Sequence, residues 1–331
     1  MAGRRRKKSG GRSYAWRYRG RIVACVFVEV IIICALVIMI GWNKGVKEWF
    51  EQFEQPVLKE VDISGINSPN AILMQARGGK ILGEINGEAQ IYPASMTKIM
   101  TVILGIENFD DLDEKITLTD EMFTGLYEQD ATQAGFQPGE EVRVIDLLYG
   151  AMLPSGAECC IALADTISGS EADFAELMNK KARKLGMENT HFCDSTGLHN
   201  PDHYSTVKDI AVLMKYCIKN DTFREIVETS RHSTGVTNIH PDGITYYSTM
   251  FKNLSAPTVT GGKILGGKTG YTSEAGHCLV SFAEIEGREY IFVSAGASGA
   301  DGNTIPHIQD AVTVYNRVGA AVEAKMNDNN K

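Results

Sequence analysis

A serine and a lysine three positions apart are the first residues in this sequence that could perform chemistry together. Ser95 and Lys98 lie at the start of an apolar run, residues 96–106, that has the length of a helix. Residues three apart share one face of a helix, so the lysine can reach the serine hydroxyl. A serine becomes a nucleophile when a base removes its proton, and a lysine can be that base where its surroundings lower its pKa. The same pair would also fit an N-cap serine beside a solvated lysine.

Two further motifs follow this pair in the sequence, and their order makes the combination informative. Ser155-Gly156 lies in a predicted loop between two helical patterns, and Lys268-Thr269-Gly270 lies on a predicted strand that two more glycines precede. A strand that carries lysine and threonine between glycines can let a peptide lie alongside and bond to its backbone. Each motif alone is common, but the three in this order and on these elements are specific.

The ordered motifs resemble those of the serine D-Ala-D-Ala carboxypeptidases, which are low-molecular-mass penicillin-binding proteins related to serine β-lactamases. The likeness extends over roughly residues 65–320, which is nearly everything that follows the N-terminal segment. It is carried by five runs of the sequence, residues 92–101, 153–156, 174–187, 197–205 and 267–279.

The resemblance implies a catalytic role for three of these residues. Ser95 would be the acylated nucleophile, Lys98 its general base, and Ser155 the group that relays the proton to the leaving D-alanine. Water would then hydrolyse the acyl-enzyme. Such an enzyme removes the terminal D-alanine of peptidoglycan stem pentapeptides, is acylated by β-lactams as covalent inhibitors, and needs no cofactor or metal.

The resemblance also implies a set of substrate-binding residues on the predicted strand. A lysine would supply positive potential, and a threonine would bond the terminal carboxylate of the substrate. The backbone N–H groups of Ser95 and Tyr271 would form an oxyanion hole, which often contributes a few kcal/mol to catalysis. The predicted set is Lys268, Thr269, Gly270, Tyr271 and Thr272.

One position departs from the family pattern and keeps other functions open. The second motif usually ends in Asn, whereas this chain has Ala157, followed by Glu158. Alanine cannot help to hold the substrate amide. A D,D-endopeptidase or transpeptidase, a β-lactamase and a catalytically weak peptidoglycan-binding protein are therefore alternatives, although no deacylating base has the spacing that a β-lactamase needs.

The N-terminal segment predicts attachment to a membrane. Residues 1–21 contain nine Lys or Arg and no acid, and residues 22–42 are apolar except for Glu29. A helix of 21 residues spans roughly 30 Å, the thickness of a bilayer core, and the basic flank keeps its end in the cytoplasm. We expect a single-pass protein of the cell membrane with an extracellular catalytic domain. A cleaved signal peptide is the alternative, but its apolar stretch is usually shorter and ends in small residues.

The remaining pattern predicts one α/β domain, with an antiparallel sheet sandwiched by helices and an inserted helical region. Strand signals at both ends of the domain flank a helix-rich middle, so one sheet made from both chain ends is expected. The predicted boundaries are a basic tail (1–21), a membrane anchor (22–42), a stalk (43–66), the catalytic domain (67–325) and a disordered tail (326–331).

The net charge argues against a nucleic-acid-binding site, and the sequence around two histidines argues against a zinc site. Residues 43–331 hold 24 basic and 40 acidic residues, a net charge of −16, which argues against nucleic acid as a partner. His199 and His203 have the i,i+4 spacing of helix-borne zinc ligands, but Pro201 lies between them and no H-E-x-x-H motif is present. We therefore predict no metal site.

Overall fold

The computed structural model describes residues 58–299 and 305–329 of the chain. The predicted basic tail (1–21), the predicted membrane span (22–42) and residues 43–57 of the predicted stalk lie outside them. Among the described residues, no helix is both long enough and apolar enough to cross a bilayer. They include the predicted catalytic domain except for residues 300–304.

The described strands form one large antiparallel sheet and two small antiparallel ladders. The large sheet has the order β2-β1-β10-β9-β8-β7, so the first two strands of the chain pair with the last ones. This confirms the expectation of one sheet made from both ends of the domain. The strands are β1 Asn70–Gln75, β2 Ile81–Ile85, β3 Lys115–Thr117, β4 Glu141–Arg143, β5 Arg231–Ser233, β6 Thr245–Tyr247, β7 Thr258–Val259, β8 Gly262–Thr272, β9 Gly276–Ile285 and β10 Arg288–Ala297.

Seven of the described α-helices lie between β2 and β7 in the sequence, among the short strands, and one more follows the last strand. The described α-helices are α1 Lys98–Asn108, α2 Val144–Met152, α3 Ala157–Ser168, α4 Glu171–Leu185, α5 Val207–Cys217, α6 Asp221–Glu228, α7 Thr249–Asn253 and α8 Pro306–Asn329.

The sheet lies between two hydrophobic clusters, because successive strand residues point to opposite faces. On β1, Ile72 and Met74 pack into the cluster formed with the inserted helices, whereas Ala71 and Leu73 pack into the cluster that α8 covers. All four side chains are 3% exposed or less. The α/β architecture with helices on both faces of an antiparallel sheet is therefore confirmed.

Capping residues define the ends of α4 as the sequence predicted. The Ser170 side chain accepts a hydrogen bond from the Asp173 backbone N–H at 3.1 Å, which satisfies one of the free donors of the first turn. Gly186 ends the helix with φ of +79°, a left-handed conformation that glycine adopts without a Cβ clash. Both ends follow from local chemistry.

The structure differs from the sequence prediction at several boundaries. The helical pattern before Ser155 begins at Val144, since residues 141–143 pair with β3 as strand β4. Leu58 and Val61, assigned to the stalk, are buried against the α8 side of the sheet. Helix α8 continues through Asn329, past residue 325, where a disordered tail was expected. The folded part of the chain is therefore longer than predicted at both ends. At its N-terminal end apolar side chains are buried, and at its C-terminal end the last helix continues.

The contact of α8 with the sheet gives a stability prediction. The Tyr315 hydroxyl accepts the Phe292 backbone N–H at 3.1 Å and lies 3.1 Å from the Ser281 hydroxyl, and Tyr315 is fully buried. Tyr315→Phe leaves a buried N–H without its partner, so we expect the free energy of unfolding to fall by about 1–3 kcal/mol. Denaturant titration measures the loss. Tyr127→Phe, at a residue that is 88% exposed, is the matched control and should change little. Equal losses in both variants would contradict the assignment.

Candidate active site

Ser95 lies in a tight turn that packs against strand β8 of the large sheet. The turn is the 3-10 helix Ala94–Thr97, immediately before α1, and Ala94 has a φ of +46°. A Cβ built on Gly270 of β8 would lie 3.0 Å from the Ser95 backbone nitrogen, which is tighter than most side chains allow, so glycine favours this approach of the strand. The sequence predicted that Gly270 belongs to the site, and the structure places it directly against the nucleophile turn.

Lys98 is buried and contacts the Ser95 hydroxyl. Its Nζ lies 3.0 Å from Ser95 Oγ and donates to the Thr196 carbonyl at 2.7 Å. The side chain is only 3% exposed. Burial lowers the pKa of Lys98 below its ordinary value, because the charged ammonium is poorly solvated there. A lysine that gives up its proton more readily, beside a hydroxyl, is the arrangement that base-assisted attack by serine requires.

Ser155 is held in a strained position between α2 and α3. It has a φ of +73° and is only 6% exposed. Its neighbour Gly156 donates its N–H to the Gly150 carbonyl at 2.8 Å, and a Cβ on Gly156 would meet Ala134 Cβ at 2.7 Å. A non-glycine residue in this region costs of order 1–3 kcal/mol, so the surrounding packing must hold it there.

Ala157 offers no polar side chain to the site, and the buried carboxylate of Glu158 follows it. Ala157 begins α3 and is 1% exposed. Glu158 Oε1 accepts the backbone N–H groups of Ala134 and Gly135 at 2.6 and 2.9 Å. Burial raises the pKa of the Glu158 carboxyl. The carboxylate thus holds the loop that packs on Gly156, a role that the sequence analysis missed.

Lys268 is the second buried lysine of the site. It is 1% exposed, and its Nζ donates to the Thr269 carbonyl at 2.9 Å. Burial lowers the pKa of Lys268 well below its ordinary value, and the charge of Lys98 acts in the same direction. Two neighbouring cationic groups in a poorly solvated place favour an anionic group between them. The positive potential expected of Lys268 stays a prediction, because a lowered pKa leaves the ammonium less fully charged.

The glycines before Lys268 serve packing rather than a bound peptide. A Cβ on Gly266 would meet the Val227 carbonyl oxygen of α6 at 2.4 Å, and one on Gly267 would meet the Val280 carbonyl oxygen of β9 at 2.4 Å. Both glycines therefore bring the protein's own backbone close to β8. The open stretch of the strand lies further along, at residues 269–272.

The end of β8 presents polar groups and one exposed ring. Thr269 Oγ1 lies 2.7 Å from Thr249 Oγ1, and Thr272 Oγ1 accepts the Ala275 N–H at 3.0 Å. Tyr271 is 61% exposed. Among the described strands, β7 pairs with the outer edge of β8 only at residues 262 and 263, so no strand covers that edge near Tyr271. A peptide could add to the edge there.

The two histidines of residues 197–205 have different partners and do not form a pair of metal ligands. His199 Nδ1 lies 3.9 Å from the Glu274 carboxylate, while His203 is 2% exposed and bonds to Asp194 and Thr97. No group of three or more metal-ligating side chains occurs in the described part of the chain. Sequence reasoning missed Thr196, whose partner Lys98 lies 98 positions away in the chain, and Asp194, whose hydrogen bonds hold the Thr196 backbone.

Comparison with known proteins identifies what this arrangement is similar to. A family model described as D-alanyl-D-alanine carboxypeptidase matches residues 57–299. The D-alanyl-D-alanine carboxypeptidase DacF of Bacillus subtilis is 35% identical over 231 residues, which cover 69% of this chain and 57% of that protein. DacC of Escherichia coli is 33% identical over 262 residues, covering 72% and 58%. The chain thus spans less than three fifths of the length of these relatives.

Solved structures give the same result for the fold. The DD-transpeptidase of Streptomyces K15 superimposes with a TM-score of 0.69 at 28% identity, over 79% of this chain and 100% of that one. A D-alanyl-D-alanine carboxypeptidase from Mycobacterium tuberculosis superimposes equally well at 22% identity, which supports the fold alone.

The burial of Lys268 gives a second prediction, on stability. A buried ammonium destabilises the folded chain, so Lys268→Met should raise the free energy of unfolding at neutral pH by about 1–2 kcal/mol. The pKa of Lys268 is lowered in the folded chain, so the unfolded chain binds more protons until the pH passes the ordinary lysine value. Wild-type stability from this group therefore rises with pH, and the gain in the variant should shrink as the pH approaches about 10.

Denaturant titrations at neutral and alkaline pH test this expectation. Lys263→Met, at an exposed position of the same strand, is the matched control and should show no such gain. A Lys268→Met protein less stable than wild type at neutral pH would contradict the electrostatic account.

Proposed function

The chain belongs to the D-alanyl-D-alanine carboxypeptidase family, and we propose that it releases the terminal D-alanine of peptidoglycan stem pentapeptides. One observation carries the proposal: Lys98 Nζ lies 3.0 Å from Ser95 Oγ while almost fully buried. This pair can form an ester with a peptide carbonyl, and the surrounding groups suit a peptide that ends in a carboxylate.

In the first half of the reaction, Ser95 is acylated. Neutral Lys98 accepts the hydroxyl proton as Ser95 Oγ attacks the carbonyl between the two D-alanines. The backbone N–H groups of Ser95 and Tyr271 stabilise the oxyanion. Ser155 relays this proton from Lys98 to the nitrogen of the departing D-alanine, so that the leaving group is a neutral amine and Lys98 is neutral again. In the second half, water attacks the ester and restores the Ser95 hydroxyl.

The charge of the site favours a substrate with a free C-terminal carboxylate. When Lys268 and Lys98 are both protonated they repel each other, so an incoming carboxylate relieves an unfavourable interaction. Thr269 lies on the open stretch of β8 and presents a hydroxyl that can donate to such a carboxylate. The preceding peptide would extend along the uncovered edge of the strand. These features support a carboxypeptidase and a site that β-lactams acylate at Ser95.

A transpeptidase or endopeptidase is the second candidate, which the Streptomyces K15 DD-transpeptidase fold supports. The acyl-enzyme is common to these reactions. In a transpeptidase, an amine would replace water as the group that attacks it. In an endopeptidase, water would still attack, but the leaving group would be a cross-linked peptide instead of D-alanine. Ala157 provides no amide to hold the substrate, so a catalytically weak peptidoglycan-binding protein is the third candidate.

The place of action is proposed from the N-terminal sequence. The basic segment 1–21 and the apolar segment 22–42 support a single-pass membrane anchor with its N-terminus in the cytoplasm. The catalytic domain would then act outside the cell, where peptidoglycan is found. Protease accessibility of the domain in intact cells tests the orientation.

The proposed activity gives a direct prediction. The full chain should release D-alanine from a diacyl-Lys-D-Ala-D-Ala peptide, and Ser95→Ala should lower the rate by roughly four orders of magnitude or more. Loss of the nucleophile removes the acyl-enzyme pathway altogether. Ser233→Ala, at an exposed serine on β5, is the control and should keep the wild-type rate.

The same assay separates the candidates. Addition of an amino acceptor such as glycylglycine should leave the products of a carboxypeptidase unchanged, whereas a transpeptidase would form a new peptide. A folded wild-type chain that binds the peptide without releasing D-alanine or joining it to the acceptor would contradict the proposal and favour a binding role.

A further inference from the structure

Asp194 is a buried carboxylate that organises the segment next to Lys98. Its Oδ1 accepts the Thr196 N–H at 2.8 Å, the Thr196 hydroxyl at 2.7 Å and the Gly197 N–H at 2.6 Å. Its Oδ2 lies 3.0 Å from His203 Nδ1. These hydrogen bonds, with His203 nearby, hold the pKa of Asp194 at about 2 although burial opposes this. The carboxylate is therefore ionised around neutral pH.

His203 links this carboxylate to the nucleophile turn. Because Asp194 is ionised, the 3.0 Å contact places a proton on His203 Nδ1, and the more distant Cys193 N–H, at 3.3 Å, is not its donor. In the neutral ring, Nε2 then accepts the Thr97 hydroxyl at 2.9 Å. Thr97 is completely buried and stands between Ser95 and Lys98 in the chain, so this hydroxyl supports the turn and does not meet substrate.

The network holds Lys98 through the Thr196 carbonyl and also packs against the turn that carries Ser95. The Thr196 carbonyl accepts Lys98 Nζ at 2.7 Å, and its backbone is held by Asp194. The next residue, Gly197, has a φ of +81°, and a Cβ there would lie 1.9 Å from the Ala94 carbonyl oxygen. The segment is thus wedged against the turn that carries Ser95. A shift of this segment would move the acceptor that orients the lysine.

We propose that Asp194 and His203 are positioning residues for the reaction: they hold the Thr196 carbonyl and the Thr97 hydroxyl, and the Asp194 charge acts on Lys98. This inference rests on the proposed function, because it concerns the base of that reaction. Neither side chain touches the substrate in this account. No role in the reaction was predicted for either residue from the sequence: the runs that carry the family resemblance leave out Asp194, and His203, in the run 197–205, was weighed only as a zinc ligand.

The charges that face Lys98 determine how the variants should behave. Burial lowers the pKa of Lys98, and the groups that oppose this effect when they are ionised are Cys160, Asp194, Glu158 and Cys159 in that order. Burial raises the pKa of both thiols and of the Glu158 carboxyl, so Asp194 is the group of the four that is ionised throughout. The neighbouring Lys268 adds a positive charge when protonated. Removing the Asp194 charge should lower the pKa of Lys98 further.

The rate of acylation by a fluorescent penicillin, measured against pH on the full chain in detergent, tests the proposal. In Asp194→Asn we expect the acid limb of the profile to move to lower pH by about one unit. We also expect the maximum rate to fall roughly tenfold or more, because the Thr196 carbonyl is less well held. Asp202→Asn, an exposed residue of the same loop, makes the same chemical change and should alter neither quantity.

Variants of His203 and Thr97 separate the effect of positioning from the effect of the Asp194 charge. They also keep the proposal testable if Asp194→Asn does not fold. His203→Gln keeps the Asp194 charge, so the maximum rate should fall by about tenfold while the acid limb moves little. Thr97→Val should lower the rate, and Thr97→Ser should recover most of the loss. Melting temperatures show which variants are folded. If Asp194→Asn does not fold, the comparison of His203→Gln with the two Thr97 variants decides.

The outcomes are distinct. Folded Asp194→Asn and His203→Gln proteins with the wild-type rate and profile would overturn the positioning role while leaving the proposed function intact. A folded wild-type chain that is neither acylated nor releases D-alanine would overturn the proposed function, and the positioning role with it.

Discussion

The burial of the Lys98 ammonium between the Ser95 hydroxyl and the Thr196 carbonyl is the constraint on which the rest of the site depends. A lysine in water keeps its proton at neutral pH and cannot serve as a base. Removing it from water weakens its hold on the proton, but that desolvation costs free energy. The fold must therefore supply enough packing and hydrogen bonding elsewhere to keep this side chain inside.

That support comes from three parts of the chain that are distant in sequence. Strand β8 lies directly beneath the turn of Ser95, with Gly270 at the point of closest approach. The loop from Asp194 to Gly197 closes one side, and the Ser155 segment between α2 and α3 lies at a strained φ beside the loop that Glu158 holds. The sheet that carries β8 has hydrophobic clusters on both faces, which makes it a rigid base.

Sequence reasoning predicted most elements and the three motifs because their signals are local. Helix α4 has its cap at Ser170 and its stop at Gly186, and the strand hairpin β9–β10 turns at Glu286-Gly287, where both residues have positive φ. The short ladder of β3 with β4 was missed, since three-residue strands carry too little pattern. The contact of His203 with the Thr97 hydroxyl was missed because the two residues lie 106 positions apart and nothing near either one in the sequence indicates the other.

The account rests on Ser95 as the residue that becomes acylated, and mass spectrometry can test this directly. After incubation of the full chain with a penicillin, trypsin should release residues 81–98, a peptide in which Ser95 is the only serine. The account predicts that this peptide carries the mass of one penicillin and that its fragment ions place the adduct on Ser95. An adduct on any other residue, or a folded chain with no adduct, would contradict it.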